Sequence, residues 1–256
     1  MKKQDSTLSL AIIISALIIG GSLVFFGLQL SGNKSPEISE EILAENIEQG
    51  VANFIEKQKQ GTQQEAIVKA QKLKPVSKND HLRGNREAVI TIVEYSDLEC
   101  PFCKSFHPTM KKVLETYPDK VNWVYRHFPL PFHNPLATQE ALASECANKL
   151  GGNDKFWEYI DLVYANTTSN GKGLEIEELP KMAEEIGLDQ DKFQKCLVAE
   201  EFKSHVQKDS SEGGQAGVSG TPGNFFVNNL TKEIIPIPGA LPFSQLQSLI
   251  DNVVNK

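Results

Sequence analysis

The sequence predicts an α/β fold with a membrane-spanning helix ahead of it, and three observations carry that reading. First, the β-branched apolar run Val89-Ile90-Thr91-Ile92-Val93 suits a central strand, and a short turn joins it to a helix opening at Cys100-Pro101-Phe102-Cys103. Second, the predicted elements follow in the order strand, helix, strand, several helices, two strands, helix. Third, Leu8 to Leu30 holds no charged residue. A chain of 256 residues with net charge −7 can form one or two domains with a real core, and its acidic balance argues against nucleic-acid binding.

The N-terminal run is long enough, at ~1.5 Å per residue, to cross the ~30 Å hydrocarbon core of a bilayer. Lys2 and Lys3 precede it and hold the N-terminus in the cytoplasm, leaving the rest outside, where disulfides persist. The competing reading is a cleaved signal peptide. The run is longer than a usual signal core, no clear Ala-x-Ala site follows, and no cysteine follows that would take a lipid, so an uncleaved anchor is expected. Three regions result: cytoplasmic tip and anchor (1–30), helical linker (31–78) and catalytic domain (79–256). In the linker, Ser35-Pro36-Glu37 is a helix start, and Ile38, Ile42, Leu43, Ile47, Val51, Phe54 and Ile55 recur at helical spacing. Gly61 is expected to end that helix, Glu65 to Leu73 to form another, and Pro75 to Asn85 to be a loop. The apolar stripe requires a cover: the neighbouring domain, a second copy, or a membrane surface.

The two cysteines stand two residues apart at a helix start, which is the spacing of dithiol chemistry. Cys100 there meets unpaired backbone N–H groups and the positive end of the helix dipole, both favouring the thiolate that acts as nucleophile. Cys103, one turn further in, can attack a mixed disulfide at Cys100 and release the product. Pro101 fits the first helical turn. Two other readings stay open at this point. Zinc needs four ligands, and beyond His107 none stands out; two packed thiols are the other.

Further along, Tyr117-Pro118-Asp119 ends the helix and Val121 to Arg126 reads as a second strand. His127 and His133 sit near the rigid exit Phe128-Pro129-Leu130-Pro131; they read as surface or packing histidines, and no metal site is assigned. Asn134 caps and Pro135 opens a helical region. Its predicted helices are Ala137 to Leu150, closed by Gly151-Gly152, then Asp154 to Ala165, Ile176 to Ile186 and Asp189 to about Ser211. Asn166 to Gly173 is a loop. Strand signals return at Asn224 to Val227 and Glu233 to Ile237, joined by a turn at Asn228-Asn229, before a final helix ending near Val254. Cys146 and Cys196 lie on predicted helices among apolar neighbours. They are either packed free thiols or, in an exported protein, a disulfide whose long loop makes it worth roughly 4 kcal/mol.

Glu94 to Cys103 (EYSDLECPFC), Pro108 five residues after the second cysteine, and Val218-Ser219-Gly220-Thr221-Pro222 stand in this order. Together they resemble the DsbA-like branch of the thioredoxin superfamily, from about Asp80 to the C-terminus. The resemblance implies a thioredoxin fold with a helical domain inserted at about 134–216. It makes Glu94 a buried acid beneath the dithiol that relays a proton to Cys103. It makes Pro108 the helix-kinking proline, and Thr221-Pro222 a cis-proline loop facing the dithiol and pairing with substrate. The implied activity is protein thiol–disulfide exchange, oxidising cysteine pairs of exported proteins, with no cofactor beyond the Cys100–Cys103 disulfide and a membrane redox partner that reoxidises it. DsbA has Pro-His between its cysteines where this chain has Pro101-Phe102, which implies a milder oxidant. A disulfide isomerase or reductase on the same fold is the alternative, since Thr before the cis-proline also occurs in the isomerase branch. A tethered binding module with a vestigial dithiol is a third reading.

Overall fold

A computed structural model describes residues 40–255. The chain divides into two compact units at Lys59 and Gln60. Helix α1 (Glu40–Ala70) runs unbroken through Gly61, contrary to the expected stop. One glycine in an exposed helix costs only about 1 kcal/mol relative to alanine, and no atom lies within 4 Å of where a Cβ on Gly61 would sit, so nothing enforces a break. Ile47, Val51, Phe54 and Ile55 are exposed along α1. The expected helix start at Ser35 and the apolar run Leu8 to Leu30 lie outside the described residues. No helix among the described residues is long and apolar enough to cross a membrane.

The second unit contains a five-stranded sheet. Its strands are β1 (His81–Gly84), β2 (Ile90–Ser96), β3 (Val121–His127), β4 (Gly223–Asn228) and β5 (Ile234–Ile237), in the order β1-β3-β2-β4-β5. β2 and β3 are parallel; the other neighbours are antiparallel. Helix α2 (Pro101–Thr116) makes the crossover from β2 to β3. Between β3 and β4 stand α3 (Leu136–Asn166), α4 (Leu179–Glu185), α5 (Gln190–Val198) and α6 (Lys203–Ala216), and α7 (Phe243–Val254) closes the chain. This is a thioredoxin fold carrying a helical insertion.

The central position of β2 follows from its composition, and all seven of its residues are buried. Strand alternation assigns its side chains to two faces. Ile90 and Ile92 enter the larger core with Phe106, Trp123 and Tyr125, while Val93 and Tyr95 enter a smaller core with Ala70, Leu73, Val124 and Phe225. Glu94 has the parity of Ile90 and Ile92 and therefore faces the side on which α2 packs.

Strand β1 lies where a loop was expected. Its four residues include no β-branched one, so no local signal announces it; it exists through pairing, with Leu82 opposite Val124 and Arg83 opposite Trp123. In the insertion, the predicted break at Gly151-Gly152 is present: Gly152 takes φ 77° and ψ −173°, a region essentially restricted to glycine, and bends α3 there. Pro135 stands at the N-terminal boundary of α3 rather than in its first turn, and the Asn134 carboxamide accepts from Thr138 N–H at 3.1 Å. Ile176 to Ile186 is a 3₁₀ turn (Ile176–Glu178) followed by α4, which begins where Pro180 can occupy the first turn. The single helix expected over Asp189 to Ser211 is two, α5 and α6, separated at Glu200, whose φ is 48°. The β4–β5 turn is also longer than the predicted Asn228-Asn229. Asn229 is held to the residues that lead into β2 through its N–H to Val89 O (2.8 Å) and its carboxamide to Ala88 O (2.8 Å), and to β2 itself through the Thr91 hydroxyl (2.9 Å), which removes it from the turn centre. Asn228 Oδ1 instead accepts from Leu230 and Thr231 N–H groups, and Lys232 supplies a left-handed residue at φ 64°.

Candidate active site

The site begins in the turn between β2 and α2, which buried carboxylates hold in place. Asp97 accepts from the N–H groups of Glu99 and Leu130, each at 2.8 Å, and its Oδ2 lies 2.8 Å from His133 Nδ1. Glu99 accepts from the Lys172 and Gly173 N–H groups at 3.0 Å and from the Thr167 hydroxyl. The turn delivers Cys100 to the N-terminal boundary of α2 with extended backbone (φ −82°, ψ 121°) and no side-chain cap, leaving the first helical N–H groups open toward its sulfur. Pro101 is the first helical residue, and Pro108 lies inside the helix.

Both cysteines are free thiols, Cys100 3% exposed and Cys103 fully enclosed. Exposure separates them by only a small margin. Chemistry separates them more clearly. A hydrogen bond from the Cys103 thiol, opposed by burial and aided by Thr221 and by the backbone at Cys103 and Phe102, pulls Cys100 down to about 6. Burial, the bond to Cys100 and the charge of Glu94 push Cys103 well above an ordinary thiol. Opposite them, the Thr221–Pro222 peptide is cis, and the Thr221 carbonyl accepts from Cys100 Sγ at 3.3 Å. The Thr221 hydroxyl is buried without a hydrogen-bond partner. A cavity of about 360 Å³ runs beside this loop, bordered by Thr221, Pro222, Gly223 and Pro238. Phe102, the second residue of α2, is 65% exposed.

Glu94 lies between β3 and β4, paired with Tyr125 and Asn224, and is 1% exposed. Its carboxylate accepts from the Ser96 hydroxyl (2.6 Å) and the Trp123 indole N–H (3.0 Å). Burial outweighs both bonds, and with the charge of Cys100 raises it to about 7. The structure thus brings Glu94, Cys100, Cys103, Thr221 and Pro222 together. Sequence reading missed Ser96 and Trp123, although Trp123 shares the parity of Val121 and Tyr125 and therefore this face.

His107 Nε2 lies 2.6 Å from Asp161, which also takes two bonds from Arg83, and its Nδ1 is buried without a hydrogen-bond partner. Cys146 on α3 and Cys196 on α5 form a disulfide with Cα atoms 5.9 Å apart. His127 and His133 are both buried, each on a carboxylate.

Residues 76–252 match the family model described as Thioredoxin. The Na(+)/H(+) antiporter NhaA 3 of Salinispora tropica is 38% identical over 149 residues, which is 58% of this chain and 22% of that protein, so the chain spans about a fifth of that curated relative. The crystal structure of Pseudomonas aeruginosa DsbA2 aligns with a TM-score of 0.62 at 34% identity, over 72% of this chain and 98% of that one. BcfH of Salmonella enterica Typhimurium aligns at TM-score 0.73 and 19% identity over 96% of this chain and 99% of its own, a likeness of fold alone.

Proposed function

The chain belongs to the thioredoxin family and is a DsbA-like thiol–disulfide oxidoreductase, and from that premise we propose that it oxidises cysteine pairs of exported proteins while anchored to the outer face of the cytoplasmic membrane. The observation that carries the oxidising direction is Cys100 at the open start of α2, with enclosed Cys103 behind it as the hydrogen-bond donor that pulls its thiol down to about 6. In the oxidised enzyme a substrate thiolate attacks Cys100 Sγ. The Cys100–Cys103 bond breaks, a mixed disulfide forms, and Cys103 leaves with the electron pair. Because burial disfavours a Cys103 thiolate, it takes a proton. Glu94, with a pKa of about 7, is part-protonated at neutral pH and close enough for its charge to act on Cys103, so it is the proton source. A second substrate thiolate then attacks the substrate sulfur, and Cys100 departs as a thiolate. Two electrons have passed from substrate to enzyme. A low-pKa thiol is a good leaving group, so this last step favours oxidation of the substrate. The backbone at Thr221 and the neighbouring cavity support strand-like pairing of an extended substrate segment. A membrane redox partner must take the two electrons back.

The test is the reduction potential in glutathione buffers, measured beside the rate of oxidative refolding of a reduced substrate. An oxidase with a Pro-Phe dipeptide should lie between ~−120 and ~−230 mV and lose refolding activity as Cys100→Ser. A potential near ~−270 mV, with faster insulin reduction than substrate oxidation, would make it a reductase.

A further inference from the structure

Four side chains from four separate elements converge at a point the thiol chemistry does not use. His81 comes from β1, His127 from the end of β3, Glu145 from α3 and His205 from α6. Their focus is one atom, Glu145 Oε1. The Nε2 atoms of His81, His127 and His205 lie 2.7, 2.9 and 3.3 Å from it. A carboxylate oxygen has two lone pairs, so the bonds to His81 and His127 fill it and the third imidazole, at ion-pair distance, is in excess. A cation at the same focus removes the excess, because each of the four atoms then contributes one lone pair. We propose that His81, His127, His205 and Glu145 bind a divalent transition-metal ion, with zinc as the best match.

The dimensions fit. Zinc bonds of ~2.0–2.2 Å set neighbouring ligand atoms of a tetrahedral site ~3.3 Å apart. The present separations reach that value at His205 and fall short of it by roughly half an ångström at the other two, a movement side-chain rotation supplies. The ligand atoms of His81, His127 and Glu145 all lie within 4.8 Å of one another. The rings are already set: His81 stacks on Phe156 at 3.5 Å and 8°, and His127 sits in β3 with its backbone N–H donating to Asp209 at 3.0 Å. His81, His127 and Glu145 are enclosed, whereas His205 is about two-fifths exposed at a cavity of about 590 Å³ that His81 and Glu145 also line, which gives an entry path. Three imidazole nitrogens select zinc, copper or nickel over the oxygen-seeking calcium and magnesium. A bound ion would tie β1 and two helices of the insertion to β3, so its role is to stabilise the fold rather than to move electrons.

The experiment uses the full chain without a histidine tag, carrying Cys100→Ser and Cys103→Ser so that the dithiol cannot compete for metal. After chelator treatment, Zn²⁺ and Co²⁺ are titrated in turn. The expected result is one equivalent of zinc bound, a higher melting temperature that EDTA reverses, and a Co²⁺ visible spectrum of tetrahedral nitrogen and oxygen ligation that excess Mg²⁺ does not displace. His205→Ala, at a part-exposed position the fold should tolerate, should lower zinc affinity by more than ~10-fold, the lower end of what loss of even an outer-shell partner costs. Glu145→Gln should lower it as well. Absence of uptake by the parent chain, or undiminished affinity in both variants, overturns the site.

Discussion

Phe102 follows Pro101 between the two cysteines, next to the turn that holds Cys100, and is 65% exposed. Cys100 is held at about 6 by Cys103, Thr221 and backbone groups, none of which is the Phe102 side chain. A histidine at that exposed position adds a donor or a positive charge near the thiolate. Phe102→His should therefore lower the Cys100 pKa further and make the disulfide more oxidising, by ~30 mV for each ~1.4 kcal/mol gained. Thiolate absorbance against pH and a glutathione titration measure the two effects; an unchanged potential would assign control to Thr221 and the backbone. A second outcome follows from linkage. An acid whose folded pKa is depressed stabilises the fold fully above its unfolded value and loses that contribution as pH falls through the folded one. For Cys100 the window runs from 9.0 down to about 6. The burial of Glu94 is common to both redox forms and cancels from their difference, leaving only the smallest of its causes, the charge of the Cys100 thiolate. The melting temperature of the reduced enzyme relative to the oxidised one should thus climb as pH rises through that window, and a flat difference would contradict the Cys100 assignment. At this scale the sequence was informative because the chemistry is written in residue types: Cys100 lies 3.3 Å from the Thr221 carbonyl, the Thr221–Pro222 peptide is cis, and buried Glu94 is near enough for its charge to act on Cys103. Ser96 and Trp123 were not singled out, since a serine and a tryptophan have many ordinary uses and only the pairing of β2 with β3 aims both at Glu94.

The elements divide by the kind of signal that makes them. β2 and the two halves of α3 announce themselves, the first by β-branched composition and the second by Gly152, whose backbone no other residue adopts cheaply. β1 does not, because its pairing with β3 rather than its own propensity makes it a strand. The opposite error occurred at Gly61, where a residue read as a breaker sits in an uninterrupted helix. The break between α5 and α6 was also invisible, because it turns on Glu200 in a left-handed conformation that glutamate rarely signals. Those two helices are nonetheless fixed in place, in part by the Cys146–Cys196 bond from α5 to α3 across 50 residues. On the chain-entropy account a loop of that length is worth about 4 kcal/mol. The Cys146→Ala, Cys196→Ala double variant should lose stability of that order in denaturant while keeping its exchange chemistry. Gentle reduction should open Cys100–Cys103 well before Cys146–Cys196. Equal reduction of both pairs at one potential would mean that the insertion's disulfide is itself redox-active.

At the scale of the molecule, the helical insertion was legible because strand signals stop after β3 and resume at β4, whereas the thioredoxin sheet, with its order β1-β3-β2-β4-β5, followed only from the resemblance of the motifs. What joins distant parts was not legible, for His81, His127, Glu145 and His205 lie on four elements and meet only after folding. The proposed placement at the membrane rests on physical chemistry that acts before folding. An uncharged run such as Leu8 to Leu30 suits hydrocarbon, and lysines ahead of such a run, as Lys2 and Lys3 are, favour the cytoplasmic side. A span so oriented puts the dithiol outside, where a disulfide enzyme meets oxidisable substrate rather than the reducing cytosol. Protease added to intact cells, with any outer barrier opened, should then digest the catalytic domain and leave a short protected fragment in the membrane fraction. Moving the positive charge should move the chain: replacing Lys2 and Lys3 by glutamine and placing lysines just after Leu30 should protect the domain. It should also leave Cys146 and Cys196 reduced, because the cytosol would keep their thiols from pairing. Recovery of the unaltered protein as a soluble form beginning near Ser31 would show a cleaved signal instead. Protection of the unaltered domain in opened cells would place the active site inside and remove the oxidising role with it.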